Sequence, residues 1–137
     1  MTDYQTAHAR FKQAYDKLLS SVANYPAERR ELAGACGTWS VKQILAHCSG
    51  WIREAITRYE AYLNGDTSRP RYDFDTFNAA SVDSRAAMDW DGTISDLQST
   101  LDELYHKSAD HPVITWWLDV LAHDCEEHTK QIEAFKA

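Results

Sequence analysis

The sequence predicts an all-α protein that folds as a single domain, a four-helix bundle covering residues 1–137. Long stretches carry an apolar side chain at every third or fourth position, the spacing of a helix that buries one face. No stretch alternates apolar and polar residues as a half-buried strand does, and the sequence has no repeat or low-complexity tract. The 137 residues, 44% of them hydrophobic and 26% charged, suit one domain with its own core.

The charge balance and the cysteines narrow the compartment and the partners. The net charge is −7, which argues against a nucleic-acid partner because phosphate contacts need clustered Lys and Arg. No apolar run is long enough to cross a membrane, and the first turn is too polar for a secretory signal. Three cysteines without framework spacing fit reduced thiols. We therefore expect a cytoplasmic protein with neither a nucleic-acid nor a membrane partner.

The first helix is predicted over about residues 2–25, and Pro26 ends it. Its buried face would consist of regularly spaced apolar side chains, namely Tyr4, Ala7, Phe11, Tyr15, Leu18, Val22 and Tyr25. A polar connection with two glycines follows over Ala27–Thr38, with room for a short helical turn.

The second helix has the most clearly marked start in the chain. Ser40 suits the N-cap, and Gln43 three residues later completes a capping box. The apolar pattern continues over about Val41–Leu63, and Asn64-Gly65-Asp66 ends it. Because a capped first turn is rigid, His47 two turns further on would be held in one place, as a functional site needs.

The third helix is predicted to start near Asp75 or Thr76, after a long connection without helical periodicity. It is expected to break around Trp90-Asp91-Gly92 and to continue after a cap at Thr93. The connection before it, residues 64–76, and the earlier one at 27–38 are long enough for the chain to cross the bundle.

The fourth helix is predicted over about Val113–Phe135. If Leu121 is the centre of its apolar face, His128 lies roughly 20° and Asp124 roughly 60° from that centre, both towards the core. His123 lies roughly 160° away and should face water. Asp124 and His128 are four residues apart, so their side chains share one face of the helix. An acid and an imidazole on a core face are costly unless each has a partner.

His47 lies at the edge of the apolar face of the second helix, and an edge position in a bundle faces a neighbouring helix. His47, Asp124 and His128 can therefore meet where two helices touch. Two imidazoles and a carboxylate form a plausible site for zinc, nickel, iron or manganese. The alternatives are a hydrogen-bonded core histidine and a buried acid–imidazole pair bonded to Trp or Tyr.

Three cysteines and two polar residues of the third helix also have predicted roles. Cys48 and Cys125 fall on apolar faces and are interpreted as small buried hydrophobes, whereas Cys36, in a Gly-rich loop, is expected to be more exposed. Asp75 and Asn78 either cap the third helix or form the wall of a pocket.

Three segments of the chain together resemble the DinB/YfiT-like superfamily. They are GTWSVKQILAHCSGW at 37–51, YDFDTFNAA at 72–80 and LAHDCEEHTKQIEAF at 121–135, in the order that the family has them. The first pattern is fairly distinctive and the last moderately so. The residues around 75–78 and the tail E-E-H-x-x-Q-I also resemble the ClbS/DfsB-type branch.

The resemblance implies a fold and a metal site. The fold is an up-down-down-up four-helix bundle whose long crossover joins the second and third helices. The metal positions match His47, Asp124 and His128. Many family members have histidine where this chain has Asp124. A carboxylate also binds divalent metals, so the site either survives with an altered preference or has lost its metal.

The resemblance also implies a class of chemistry. We expect a divalent-metal-dependent enzyme, a thiol S-transferase or a detoxifying hydrolase, that acts on a small electrophilic substrate with a low-molecular-weight thiol as co-substrate. We also predict a homodimer. The alternative is a metal-free small-molecule-binding or resistance protein of the ClbS/DfsB type. Its pocket would be lined by aromatic side chains, namely Trp39, Trp51, Trp90, Trp117 and Tyr72.

Overall fold

The computed structural model describes residues 2–109 and 115–136, and its regular structure over those residues is helical apart from one isolated bridge between Cys36 and Trp39. The described residues form five α-helices: α1 (Asp3–Val22), α2 (Val41–Leu63), α3 (Phe74–Ser84), α4 (Trp90–Lys107) and α5 (Thr115–Ala134). A short 3-10 helix, Ala27–Arg29, lies between α1 and α2. The all-α prediction is confirmed. Within the described residues, no helix is long and apolar enough to cross a membrane.

The start of α2 is capped as predicted. The Ser40 hydroxyl accepts a hydrogen bond from the Gln43 backbone N–H at 3.1 Å, and the Gln43 side-chain oxygen accepts one from the Ser40 backbone N–H at 2.9 Å. Thr2 and Gln5 form the same reciprocal pair at the start of α1. Each pair satisfies backbone donors that the first turn of a helix otherwise leaves without partners.

The predicted third helix is in fact two helices, and the break between them comes earlier than expected. α3 ends at Ser84, and α4 is capped by Asp89 rather than by Thr93. The Asp89 carboxylate accepts a hydrogen bond from the Gly92 backbone N–H at 2.7 Å. The prediction treated Gly92 as a helix breaker. In the first turn, however, a glycine N–H is one of the donors that a cap satisfies, so the helix starts before it.

The last helix, α5, matches its predicted faces. Its buried residues are Leu118, Leu121, Ala122, Cys125 and Ile132. His123 is exposed on the opposite face, as the helical wheel predicts. The predicted helix start at Val113 lies outside the described residues.

The core is built mainly by the four longer helices. α1 packs chiefly on α5, while α2 packs on α4 and α3, with smaller contacts between α2 and α5 and between α1 and α4. The fully buried side chains come from all four, and include Phe11, Leu18, Ile44, Leu45, Ile52, Leu97, Leu101, Leu104, Leu118 and Ile132. The shorter α3 buries Ser81 and Val82 and is held mainly through α2.

A close crossing at Gly50 sets the position of α3. A Cβ atom placed on Gly50 would lie 2.1 Å from the Ser81 hydroxyl oxygen and 2.5 Å from Ser81 Cβ. Glycine inside a helix costs roughly 0.5–1 kcal/mol relative to alanine. At Gly50 this cost is offset because the missing side chain lets α3 lie directly against α2. The contact brings Asn78, one turn before Ser81, up to His47.

Candidate functional site

Two imidazole rings meet where α2 and α5 touch. The ring centroids of His47 and His128 are 5.1 Å apart, with the ring planes at 84°. His47 is buried, with 9% of its surface exposed, and His128 is half-buried. The prediction that these two histidines meet is confirmed.

Asn78 fixes the protonation of the His47 ring. The Trp51 Nε1–H, which can only donate, gives a hydrogen bond of 2.7 Å to the side-chain oxygen of Asn78. His47 Nδ1 lies 3.0 Å from the same oxygen. Because a carbonyl oxygen only accepts, Nδ1 of His47 must carry the hydrogen. In the neutral ring the lone pair is then on Nε2, which can accept a proton or bind a metal. Asn78 does not cap α3, since Asp73 does, and its observed role is that of a hydrogen-bond partner of His47 and Trp51.

Gln131 is the hydrogen-bond partner of the second ring, that of His128. His128 Nδ1 lies 2.7 Å from the side-chain oxygen of Gln131, one turn further along α5. With the hydrogen on Nδ1, the neutral form of the His128 ring has its lone pair on Nε2. Gln131 was not among the residues predicted for the site. Its spacing of three residues from His128 could have indicated the contact, because residues three apart on a helix are neighbours.

His47 is held in its neutral form. Burial is the main cause that lowers the pKa of His47 to about 4, and the proximity of His128 lowers it further, while the hydrogen bond to Asn78 opposes the change. Trp39 covers the ring at a centroid distance of 4.8 Å. At neutral pH the imidazole is thus uncharged and available as a base or ligand.

Asp124 lies close to this pair but does not complete a set of ligands. It is half-buried and lines a small cavity of about 10 Å³ together with His47, which is room for about one water. Burial raises the pKa of Asp124, and the two nearby histidines, His128 and His123, partly counter it. Over residues 2–109 and 115–136, no three His, Cys, Asp or Glu side chains are already placed to hold a metal ion.

The two thiols in the same cavity are not nucleophiles. Cys48 and Cys125 are buried, as predicted, and both line the cavity beside His47. Burial is the main cause that raises the pKa of Cys125 to about 12 and that of Cys48 well above its usual range. Since the thiolate is the reactive form, neither buried thiol is activated as a nucleophile in the metal-free chain.

An aromatic wall adjoins the histidine pair. We define it as Trp51, Tyr72, Phe74, Phe77, Trp116 and Trp117. Trp51 is its centre, stacked on Phe77 at 4.1 Å and within 5.0 Å of the Tyr72 ring. The wall is partly open to solvent, since Phe74 is 63% and Trp116 is 68% exposed. Of the five aromatic residues expected to line one pocket, Trp51, Tyr72 and Trp117 belong to this wall, whereas Trp39 contacts His47 and Trp90 contacts Tyr25.

The low pKa of His47 predicts how the stability of the metal-free protein depends on pH. The unfolded chain binds a proton at His47 near the usual pKa of 6.5, whereas the folded chain does so only near pH 4. Stability should therefore fall as the pH drops from about 6.5 to about 4, by about 3 kcal/mol for this group. The raised pKa of Asp124 acts in the opposite direction, because the folded state then holds its proton more firmly.

Urea unfolding of the chelator-treated protein at several pH values between 7 and 4 measures this dependence. His47→Asn keeps a donor near Asn78 but removes the titrating ring. Subtracting the pH dependence of the unfolding free energy of His47→Asn from that of the wild type cancels the contribution of Asp124 and leaves that of His47. Parallel curves for the two proteins across this range would contradict the assignment.

Comparisons of the chain with protein-family models, with curated proteins and with solved structures found no match. The side chains of the site itself are therefore the basis for a proposed function.

Proposed function

We propose that this chain is a divalent-metal-dependent enzyme, a thiol S-transferase or a hydrolase that acts on a small electrophilic substrate. His47, His128 and Asp124 are the proposed metal ligands. The observation that carries the proposal is that both rings donate through Nδ1 to an amide oxygen and keep Nε2 for a ligand. Histidines that bind metals nearly always donate their other ring N–H in this way.

The residues present fit a divalent ion in their chemistry. Two neutral imidazoles and a carboxylate are suitable ligands for zinc, nickel, iron or manganese. A cation near Asp124 favours the ionised carboxylate and so offsets the burial that raises its pKa. When bound, such an ion lowers the pKa of water or of a thiol and thereby supplies a nucleophile at neutral pH.

The remaining parts of the site have roles that need no metal. The pKa of about 4 keeps His47 unprotonated at neutral pH, so that the lone pair of the ring is free to bind a ligand. Asn78 holds that ring in one orientation through Nδ1. Because burial raises the pKa of Cys48 and Cys125, we assign the role of nucleophile to a low-molecular-weight thiol or water.

We also propose that α1, α2, α4 and α5 form an up-down-down-up bundle with its crossover between α2 and α3. Contacts between side chains support these directions. α1 runs parallel to α5, because the contacts Arg10–Glu126 and Tyr25–Ile132 advance along both segments together. α2 runs parallel to α4 by the same criterion, through Arg53–Glu103 and Glu60–Lys107. α1 runs antiparallel to α4, because His8 contacts Tyr105 whereas the later Tyr25 contacts the earlier Trp90.

Metal binding tests the proposed function. Purified protein soaked in zinc or nickel and then desalted should retain close to one ion per chain. His128→Ala should weaken the affinity by more than about 100-fold, because a direct ligand is worth more than a residue that only orients one. The exposed His123 lies on the same helix, so His123→Ala is the matched control and should leave the affinity within about twofold.

Elemental analysis and competition with a chelating dye give the stoichiometry and the affinity. Retention below about a tenth of an ion per chain would remove the metal from the proposal. Equal losses in the His128 and His123 variants would show that binding occurs on the surface instead.

The aromatic wall favours a second candidate, a metal-free small-molecule binder. An exposed group of stacked rings commonly marks a binding surface for an apolar ligand. The chelated protein would then bind a flat aromatic probe such as 1-anilinonaphthalene-8-sulfonate, and Trp116→Ala would weaken that binding whereas His47→Ala would not. If the probe binds only to the metal-loaded protein, this candidate fails.

A further inference from the structure

A second cleft, of about 170 Å³, lies between the start of α2, the end of α3 and the start of α4. Its apolar floor includes Ala46 and Val82, and its polar rim includes Lys42, Arg85 and Glu31. It shares no lining residue with the small cavity beside His47. Its volume is roughly ten times the ~10–15 Å³ that one water needs, so a small molecule or a substituent of one fits inside.

Two cations with little access to solvent line this cleft. The side chain of Lys42 is 14% exposed and that of Arg85 is 17% exposed. A charge withdrawn from water is costly unless an opposite charge or several hydrogen bonds compensate it. How well each cation is already compensated therefore decides whether the cleft attracts an anion.

Arg85 is well compensated. Its Nε donates to Asp96 at 3.1 Å, and its Nη1 donates to the Ser81 carbonyl at 3.1 Å and to the Ser84 hydroxyl at 3.3 Å. These bonds hold the guanidinium in place. Its Nη2 group makes no hydrogen bond within the described part of the chain, so it can donate to a ligand.

Lys42 is poorly compensated. Within the described residues its ammonium has one polar contact, 3.4 Å to a carboxylate oxygen of Glu31. The Glu31 side chain is 76% exposed, and an exposed pair at this distance adds little stability. An ammonium has three hydrogens to donate, so Lys42 can serve a better acceptor if Glu31 moves aside.

We propose that this cleft binds an oxyanion, the phosphate or carboxylate group of a small molecule, held by Lys42 and Arg85 in place of Glu31. The position at the start of α2 favours an anion, because the amino end of a helix is the positive end of its dipole. The backbone amides there do not bind the ligand, since Lys42 N–H donates to the Arg30 carbonyl and Gln43 N–H to the Ser40 hydroxyl. The two side chains therefore carry the recognition.

Removing the competing carboxylate is the sharpest test. Glu31→Gln should tighten binding of the oxyanion several-fold, because Lys42 then has no charged partner of its own. Lys42→Gln should weaken binding by at least about tenfold, as expected for the loss of a charge-assisted hydrogen bond. Lys42→Arg keeps the charge and should largely restore binding.

The matched control is Lys107→Gln. Lys107 also has a single loose acidic partner, Glu60 at 3.6 Å, but it lies outside the cleft. This change removes one positive charge from the protein and should leave binding of the oxyanion nearly unchanged.

Amide chemical shifts in the ¹⁵N-labelled protein, titrated separately with sodium phosphate and sodium acetate at constant ionic strength, measure the affinity. Shifts confined to residues around Lys42, Arg85 and Thr93 are expected, and the anion that binds more tightly identifies the group. Weaker binding in Glu31→Gln, or equal losses in the Lys42→Gln and Lys107→Gln variants, would overturn the proposal.

Discussion

Gly50→Ala is expected to lower the free energy of unfolding by about 2 kcal/mol or more. The new Cβ would lie 2.1 Å from the Ser81 hydroxyl oxygen and 2.5 Å from Ser81 Cβ, far inside contact distance. Overpacking of this kind forces the backbone to shift and typically costs about 1–3 kcal/mol, or more when no flexible group can yield. Without this clash, alanine in place of glycine would stabilise the helix by roughly 0.5–1 kcal/mol, so a loss of stability would itself indicate the clash with Ser81.

A second change should rescue the first. Ser81→Gly removes both atoms that the new methyl group would meet, and the next atom, in Arg85, is at 3.7 Å. In this background Gly50→Ala should cost little or become stabilising. Gly92→Ala serves as the control, because its Cβ would lie 3.0 Å from the Asp89 carboxylate, which needs to move by only a few tenths of an ångström, so it should cost clearly less than Gly50→Ala.

Urea unfolding of the four proteins in the Gly50–Ser81 cycle gives the coupling energy. Additive effects of the two changes would mean that α3 does not lie against α2 as described. The position of Asn78 beside His47 would then be lost as well.

Asn78→Leu is the second change with a large expected effect, about 3 kcal/mol of lost stability. It leaves two donors, His47 Nδ1–H and Trp51 Nε1–H, without the oxygen that both now share. Each buried donor without a partner costs roughly 1–3 kcal/mol. The pKa of His47 should fall further, since the bond to Asn78 is the contact that raises it.

Asn78→Asp should move the same pKa the other way. A carboxylate at this position still accepts both hydrogen bonds and adds an opposite charge beside the ring. An opposite charge within about 4–6 Å raises a histidine pKa by about 1–3 pH units. The pKa of His47 should therefore rise from about 4. Trp51→Phe removes the donor that fixes the orientation of the Asn78 amide, so it should leave the hydrogen of His47 less strictly confined to Nδ1.

Long-range ¹H–¹⁵N spectra of the imidazole rings report both the tautomer and the titration of His47. The wild-type spectrum should show the hydrogen on Nδ1. A hydrogen on Nε2, or the same pKa in the Leu and Asp variants of Asn78, would contradict the role given to this residue.

Local sequence signals predicted the helices wherever a cap and a repeat agreed. Ser40 and Gln43 were enough to place the start of α2, because a capping box involves only residues three apart. The break after α3 was misplaced, because Gly92 and Thr93 carry helix-breaking and capping signals that the nearby Asp89 overrides. The Asp89 cap is itself a contact between residues three apart, so the prediction missed a signal that the local sequence carries.

Part of the candidate site was also predicted from local signals, because the faces of a helix follow from residue spacing. The wheel on α5 placed His128 towards the core and His123 towards solvent, and both were found there. The wheel could not predict how far Asp124 is buried, because the burial of this side chain depends on the neighbouring helix. Nor could it select the partners of the rings, since Asn78 lies 31 residues from His47 along the chain.

The sequence by itself determined that this is a helical protein, where α1 and α2 lie, and which faces of these helices and of α5 are apolar, because these follow from contacts within a few residues. The tertiary structure alone decided that Asn78 and Gln131 are the partners of the two rings, that burial raises the pKa of both cysteines in the cavity, and that Lys42 has only a loose acidic partner among the described residues. Those properties depend on burial and on the distance between residues far apart in the chain. Such distances are fixed only once α3 crosses α2 at Gly50 and α5 packs beside them.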